Sequence, residues 1–258
     1  MFERVAREHE IVGVITRAPK PAGRKKIITP APVEIWARTH DFKVFNKISD
    51  FDWTTDFDFA VVASYGVIIK DEILARGKFI NIHPSDLPAY RGPAPMTTAI
   101  YNGDTHSAFC LMEVASEVDA GDVYMRVPFE IGTDDTNEIV EARVAEIGAD
   151  MLSAYLAVPA RFPGVAQSGT PSFTRKWTSA DEIIDWSKTP AQIHNQIRAI
   201  GGRTKINGID VKILKSSVVS RQSLDVLEIL QVQPAGKKPM DWQSFVNGQR
   251  GVINFGSL

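Results

Sequence analysis

The sequence predicts an α/β protein with a mostly parallel sheet in its first part and a smaller, strand-rich tail. Short apolar segments alternate with helical patterns through the first two-thirds of the chain, and residues 57–64 form a nearly continuous apolar run. Such a run is typical of a parallel strand covered on both faces. After Val158 prolines and glycines become frequent. We therefore expect a first domain over residues 1–160, a linker over 161–175 and a second domain over 176–258.

The elements follow from periodicity and from proline and glycine positions. Strands are predicted at 11–16, 57–64, 79–83, 107–114 and 123–130, and helices at 33–39, 70–76, 93–101 and 136–158. In the tail we expect short helices near 180–186 and at 241–247 and a longer helix at 190–200. Strand patterns run over 209–214 and 224–232, and these are the only two clear strands expected between residues 208 and 232.

Composition excludes several classes of protein. The chain has 258 residues and a net charge of −2, so a contact with a polyanion needs a local basic patch. A single cysteine, Cys110, excludes an intrachain disulfide, and the five histidines lie too far apart in sequence for Cys/His metal spacing. The longest apolar stretch, 59–69, is too short to cross a bilayer, and the amino terminus has no secretion signal. We expect a cytoplasmic monomer with no metal and no membrane contact.

The segment 81–92 carries the strongest chemical signal. Asn81 and His83 end an apolar run and Pro84 follows them. Residues two apart on a strand share a face, so the amide and the imidazole point to one small volume. An amide can hold an oxyanion and an imidazole can move a proton, which are the two needs of acyl-type transfer.

Asp119 is the third candidate residue. It lies in an acidic stretch at 117–122 that also contains Gly121, and its carboxylate could orient the His83 ring. Histidines and asparagines at strand ends more often serve hydrogen-bonded loops, so the pair alone favours a structural role. The proline-bracketed loop and the acidic stretch favour catalysis.

A basic loop at 17–26 holds five cations and no acid. Arbitrary charge runs are usually solvated, mobile loops. The functional alternative is a contact with phosphates, which supplies affinity without sequence choice. The P-loop pattern is absent.

Several separated motifs together resemble the folate-dependent formyltransferases. They are the segments 9–14, 20–24, 63–66, 81–92 and 119–122, with 184–186 and 233–240 in the tail. The segment 81–92 is specific to the superfamily. The basic loop and the tail motifs resemble the branch that acts on methionyl-tRNA.

The resemblance implies a Rossmann-like catalytic domain, a linker and a barrel-like carboxyl-terminal domain that binds tRNA. It implies transfer of a formyl group from 10-formyltetrahydrofolate to the amino group of methionyl-initiator tRNA. Asn81, His83 and Asp119 match the family's catalytic residues. The remaining matches are Ser85, Asp86, Leu87 and Pro88 for folate contact, and Lys20, Arg24, Lys25 and Lys26 for the loop that enters the tRNA acceptor arm. Gly66 would let the backbone approach a flat pterin ring, or it allows the chain to turn tightly where its strand ends.

The sequence also departs from the family pattern. The family begins with an additional central strand before its first helix, and here Met1 falls inside that helix. Neighbouring backbone groups would then lack partners, at a cost of about 1–3 kcal/mol each when buried. We expect weak activity relative to a chain that carries such a strand.

Two other functions remain open. Formyl transfer to a small amine, such as an amino sugar nucleotide or a glycinamide nucleotide, would use the same His83 site without the basic loop. A degenerate tRNA-binding relic would bind tRNA without catalysis.

Overall fold

The computed structural model describes residues 1–23, 25–221, 224–249 and 251–256. The chain divides into two compact units. Unit 1 comprises Met1–His83, Cys110–Met125 and Glu146–Gln167. Unit 2 comprises Pro84–Phe109, Arg126–Ala145 and the described chain from Ser168 onward.

Helices and strands alternate as an α/β protein requires. The α-helices are α1 (Phe2–Glu8), α2 (Pro32–Thr39), α3 (Asp71–Leu74), α4 (Pro95–Asn102), α5 (Asn137–Ala157), α6 (Pro190–Ile200) and α7 (Trp242–Asn247). The strands are β1 (Val14–Ile15), β2 (Lys20–Ala22), β3 (Ile27–Thr29), β4 (Val44–Phe45), β5 (Phe59–Val62), β6 (Lys78–His83), β7 (His106–Glu113), β8 (Val123–Glu130), β9 (Gly202–Ile206), β10 (Ile209–Arg221), β11 (Leu224–Pro234), β12 (Met240–Asp241) and β13 (Phe255–Gly256).

Strand β6 is an inner strand of the sheet that carries the candidate site. The four strands have the order β5-β6-β7-β8, with β5 parallel to β6 and β7 antiparallel to it. Phe79, Ile80 and Ile82 are buried, so both faces of β6 are covered. The α/β prediction is confirmed, and the sheet is mixed.

A second, two-stranded sheet in unit 1 pairs β1 with β4 in parallel. In the part of the chain that the structure describes, β1 pairs with β4 alone and β5 with β6 alone. All four residues of β5 are only half-buried. Among the described residues, β1 and β5 therefore each have one edge with no paired strand.

The tail of unit 2 is richer in strands than predicted. Its antiparallel sheet has five strands, in the order β12-β11-β10-β9-β13. The two strands predicted at 209–214 and 224–232 are β10 and β11, and the other three were not predicted. Strands β9, β12 and β13 are short, and short strands give little periodic signal. The core beneath this sheet contains Ile193 and Ile197 of α6, Ile213 of β10, Val232 of β11 and Phe245 of α7.

Helix α6 begins and ends where the sequence predicts. Thr189 and Gln192 form a capping box, with each side chain bonded to the other residue's backbone N–H, and Pro190 occupies the first turn.

The predicted helix near 180–186 is wrong. Ile183 instead forms a bridge to Arg203, and Asp185 accepts hydrogen bonds from the Ser187 backbone N–H and hydroxyl. Asp181 likewise accepts hydrogen bonds from the Thr178 backbone N–H and hydroxyl. Aspartates that bond to nearby backbone N–H groups favour turns over helix, which explains the difference.

Candidate active site

Strand β6 presents the first two candidate residues. Asn81 pairs with Met112 and His83 with Cys110 on β7, and the alternation of the strand places both side chains on the same face. The His83 side chain is 5% exposed. Pro84 follows at once, so the pair stands at the carboxyl end of its strand, where α/β sheets commonly bind ligands.

Asp119 lies against both residues. One carboxylate oxygen, Oδ1, accepts a hydrogen bond from Asn81 Nδ2 at 3.4 Å, and the other, Oδ2, lies 3.6 Å from His83 Nδ1. The Asp119 side chain is 16% exposed. The three predicted residues therefore converge, although 38 positions separate Asn81 from Asp119 in sequence. Because the carboxylate faces Nδ1, Nε2 is the ring nitrogen on the far side.

The turn that carries Asp119 has an unusual backbone. Asp119 adopts a φ of +50° in the left-handed region, which costs a residue with a Cβ about 1–2 kcal/mol, although aspartate tolerates it better than most residues. At Gly121 an added Cβ would lie 2.1 Å from the Glu113 carbonyl oxygen, so only glycine fits. The Gln167 side chain donates hydrogen bonds to the carbonyls of Asp119 and Gly121. Sequence reasoning missed Gln167, which lies in the predicted linker.

The loop after His83 contains the predicted folate residues. Ser85 and Leu87 are fully buried, and the Ser85 hydroxyl donates to the Ala89 carbonyl at 2.6 Å. Asp86 is exposed and Pro88 half-buried. Ser85 and Leu87 thus hold the shape of the loop, while the side chains of Asp86 and, in part, Pro88 are accessible to solvent.

Arg126 fixes this loop and was also missed. Its guanidinium forms an ion pair with Asp86 and donates to the Leu87 carbonyl at 2.7 Å. An arginine between Met125 and Val127, in the middle of strand β8, is the sequence signal that could have identified it.

Gly66 follows β5 in an open segment. Its φ is +69°, and an added Cβ would meet no heavy atom within 4 Å. Val67 and Ile68 beside it are 57% and 76% exposed. Burial raises the pKa of the neighbouring Tyr65 hydroxyl, which stays neutral at physiological pH. Exposed backbone next to exposed apolar side chains suits a flat heteroaromatic ring.

The described residues of the basic loop include part of a β-hairpin. Strand β2 pairs antiparallel with β3, and Lys20, Lys25 and Lys26 are all exposed. Arg24, predicted to contact tRNA, lies outside the described residues. The structure therefore groups three of the four predicted cations on one small hairpin.

The described residues lack two features of other classes of protein. No helix there is long and apolar enough to cross a membrane. No group of three or more His, Cys, Asp or Glu side chains in the same part of the chain is arranged to hold a metal ion.

Comparison with known proteins agrees with this arrangement. Residues 3–156 match the family described as formyl transferase, and residues 176–226 match the formyl transferase C-terminal domain. A methionyl-tRNA formyltransferase of Fusobacterium nucleatum is 30% identical, over 96% of this chain and 92% of that protein.

Two solved structures share the fold. The methionyl-tRNA formyltransferase from Clostridium thermocellum has a TM-score of 0.59 at 14% identity, covering 87% of this chain and 99% of that chain. The N-formyltransferase from Helicobacter canadensis, in complex with folinic acid and dTDP-3-aminofucose, has a TM-score of 0.65 at 20% identity, covering 85% and 83%. The formyl transferase family matches more than half of this chain, and the methionyl-tRNA formyltransferase of Fusobacterium nucleatum is 30% identical over 96% of it. The chain therefore belongs to the formyl transferase family.

Proposed function

We propose that this chain transfers a formyl group from 10-formyltetrahydrofolate to the α-amine of methionyl-initiator tRNA. The observation that carries the proposal is the convergence of Asn81, His83 and Asp119. The named activity of the Fusobacterium nucleatum relative supports the choice of substrate.

Each of the three residues has a chemical role in this reaction. The amine attacks the formyl carbon, a new C–N bond forms, and negative charge develops on the formyl oxygen. The bond between the formyl carbon and the folate nitrogen then breaks as the carbonyl re-forms. The Asn81 amide has two N–H donors, so it can serve Asp119 and the oxyanion together. His83 accepts the proton of the attacking amine and returns one to the departing nitrogen of the folate. Asp119 holds the ring at Nδ1, which leaves Nε2 to face the reacting atoms.

Two segments have surfaces that fit the donor. 10-Formyltetrahydrofolate supplies an already activated formyl group. In unit 1, the open backbone at Gly66 with Val67 and Ile68 suits the pterin. In unit 2, Asp86 is the exposed residue of the loop that the family resemblance assigns to folate contact, and Pro88 is half-buried. Arg126 keeps that second segment in one shape.

The basic hairpin is the proposed tRNA contact. Lys20, Lys25 and Lys26 are exposed cations on a chain of net charge −2, so they form a local site for phosphates. The predicted second domain, 176–258, would hold the rest of the tRNA. The protein would act where translation initiates, in the cytoplasm.

Single-turnover formylation identifies the acceptor. Charged initiator tRNA, an amino sugar nucleotide and a glycinamide nucleotide are incubated in parallel with the protein and 10-formyltetrahydrofolate. We expect formylated methionyl-tRNA alone. A formylated small amine would instead assign the chain to small-molecule transfer, and tRNA retention without product would identify a binding relic.

The variant His83→Ala tests the site itself. Loss of a general base lowers the rate about 10²–10⁴-fold, so we expect kcat to fall by that factor while the Kd for tRNA is unchanged. His106→Ala, which removes an exposed histidine, is the matched control. Unchanged kcat in His83→Ala would refute the proposed role.

A further inference from the structure

We infer that Gln167 is a positioning residue for catalysis, which holds the Asp119 carboxylate against Asn81 and His83. The inference rests on the proposed function, because it gives Gln167 a role in the same reaction. The predicted linker would thereby supply part of the active site.

The hydrogen bonds at Gln167 are directed at the backbone of the acidic turn. Its Nε2 donates to the carbonyl oxygen of Asp119 at 2.8 Å and to that of Gly121 at 2.9 Å. Both partners are carbonyls, which only accept, so the amide nitrogen must face them. One side chain therefore uses both of its N–H groups to close the turn from residue 119 to residue 121.

The segment that carries Gln167 is itself attached to the turn. Val165 and Val123 exchange two backbone hydrogen bonds, of 2.9 and 3.0 Å, in an antiparallel bridge. The segment 165–167 thus runs beside 119–123, and this places the Gln167 amide under the turn. These residues all belong to unit 1.

The turn needs such support because its conformation is unfavourable by itself. Asp119 has a φ of +50°, and left-handed backbone persists in residues other than glycine only where the surroundings impose it. The Asp119 carboxylate meets its partners at the long distances of 3.4 and 3.6 Å. A small rotation of the turn would therefore separate it from both Asn81 and His83.

A double-mutant cycle separates positioning from general stabilisation. Gln167→Ala should lower kcat for methionyl-tRNA about 10- to 100-fold, as expected for slight misplacement of a catalytic group, with the KM values for tRNA and folate unchanged. In an Asp119→Ala background the same change should lower kcat less than about twofold further, because the group it positions is gone. Ser168→Ala, at the next residue, is the control and should leave kcat unchanged.

A second readout does not depend on turnover. The His83 imidazole is titrated by NMR in the natural protein and in the variants. Gln167→Ala should move the titration midpoint in the same direction as Asp119→Ala, because the first displaces and the second removes the carboxylate beside Nδ1. Ser168→Ala should not move the midpoint. This measurement holds even if the acceptor proves to be a small amine.

Three results would overturn the inference. They are unchanged kcat in Gln167→Ala, an equal loss of kcat in both backgrounds, and a His83 midpoint that moves in Asp119→Ala but not in Gln167→Ala. If Asp119→Ala by itself leaves kcat and the midpoint unaltered, the proposed role of Asp119 fails first, and the role of Gln167 falls with it.

Discussion

At the scale of single residues, the candidate site depends on how closely two backbone segments pack as well as on its reactive groups. Asp119 supplies the carboxylate, but the turn that presents it passes so close to Glu113 that a Cβ at position 121 has no room. Glu113 is in turn bound to this segment, because its backbone N–H donates to the Asp122 carbonyl at 2.9 Å. The position of the carboxylate is therefore coupled to a glycine that takes no part in the chemistry.

Gly121→Ala should damage both stability and catalysis. The new Cβ must push the turn away from the Glu113 carbonyl, and overpacking of this kind costs about 1–3 kcal/mol in the free energy of unfolding. We expect a lower urea midpoint and a kcat reduced more than the stability loss alone explains, because Asp119 moves with the turn.

Gly248→Ala is the control for that experiment. Gly248 has an ordinary right-handed helical φ of −80°, and a Cβ there would meet its nearest atom at 3.4 Å. Alanine at a compatible glycine position is neutral or slightly stabilising. Equal stability losses in the two variants would contradict the steric argument at Gly121.

At the scale of elements, polar side chains fix a turn over residues 175–181, which leads into the segment near 180–186 where a helix was predicted. Arg175 forms two hydrogen bonds to the Asp181 carboxylate, at 2.5 and 2.9 Å, and Thr178 adds its backbone N–H and its hydroxyl. The Arg175 hydrogen bonds and then those from Thr178 hold the pKa of Asp181 well below its ordinary value.

This lowered pKa predicts a pH dependence with a definite sign. A carboxylate whose pKa is depressed in the folded state stabilises the protein above its unfolded pKa of about 3.9, and the effect is lost as the pH falls through the folded pKa. The stability advantage of the natural protein over Asp181→Asn should thus be constant above about pH 5 and shrink below about pH 4.

Urea unfolding of both proteins between pH 2 and 7 measures this difference. Asp58→Asn makes the same charge change at an exposed position outside the cluster and serves as the control. An advantage that stays constant down to pH 2 would contradict a lowered pKa of Asp181 in the folded state.

At the scale of the whole molecule, the charge distribution matters more than the net charge. A total of −2 gives no general attraction to nucleic acid, so tRNA affinity must come from local groups such as the hairpin of β2 and β3. Each lysine that neutralises a phosphate releases counterions and makes binding more sensitive to salt.

The double variant Lys25→Ala/Lys26→Ala should weaken tRNA binding and reduce its salt dependence. The slope of log Kd against log salt should fall by about one for each phosphate that is no longer neutralised, while kcat at saturating tRNA is unaltered. Filter binding at several salt concentrations measures the slope. Lys43→Ala/Lys47→Ala removes two other exposed lysines, and an identical slope change in that control would refute a specific role for the hairpin.

Much of the fold was predictable because periodicity is a local property. Helices α2, α4, α5 and α6 and strands β6, β7 and β8 were predicted within a few residues, since each combines a clear apolar pattern with a proline or glycine boundary. The short strands β2, β4, β12 and β13 were missed, because two or three residues carry no measurable period.

The candidate site was predictable to different degrees. Asn81 and His83 could be paired from sequence, because the geometry of a strand puts residues two apart on one face. The approach of Asp119 was a hypothesis, since only folding brings position 119 to position 83. Arg126 had a weak signal, and Gln167 had none, because its partners are backbone carbonyls that exist at every residue.

Local patterns in the chain are enough to predict the α/β class, the strand that ends in Asn81 and His83, the family resemblance and a basic segment at 17–26. Folding adds the approach of Asp119 to Asn81 and His83, the hydrogen bonds from Gln167 to the turn of Asp119, and the five strands that the described part of the tail contains. The difference is one of range, because strand period and capping are set by neighbours in sequence, whereas these contacts join residues distant in the chain and arise only when the backbone packs.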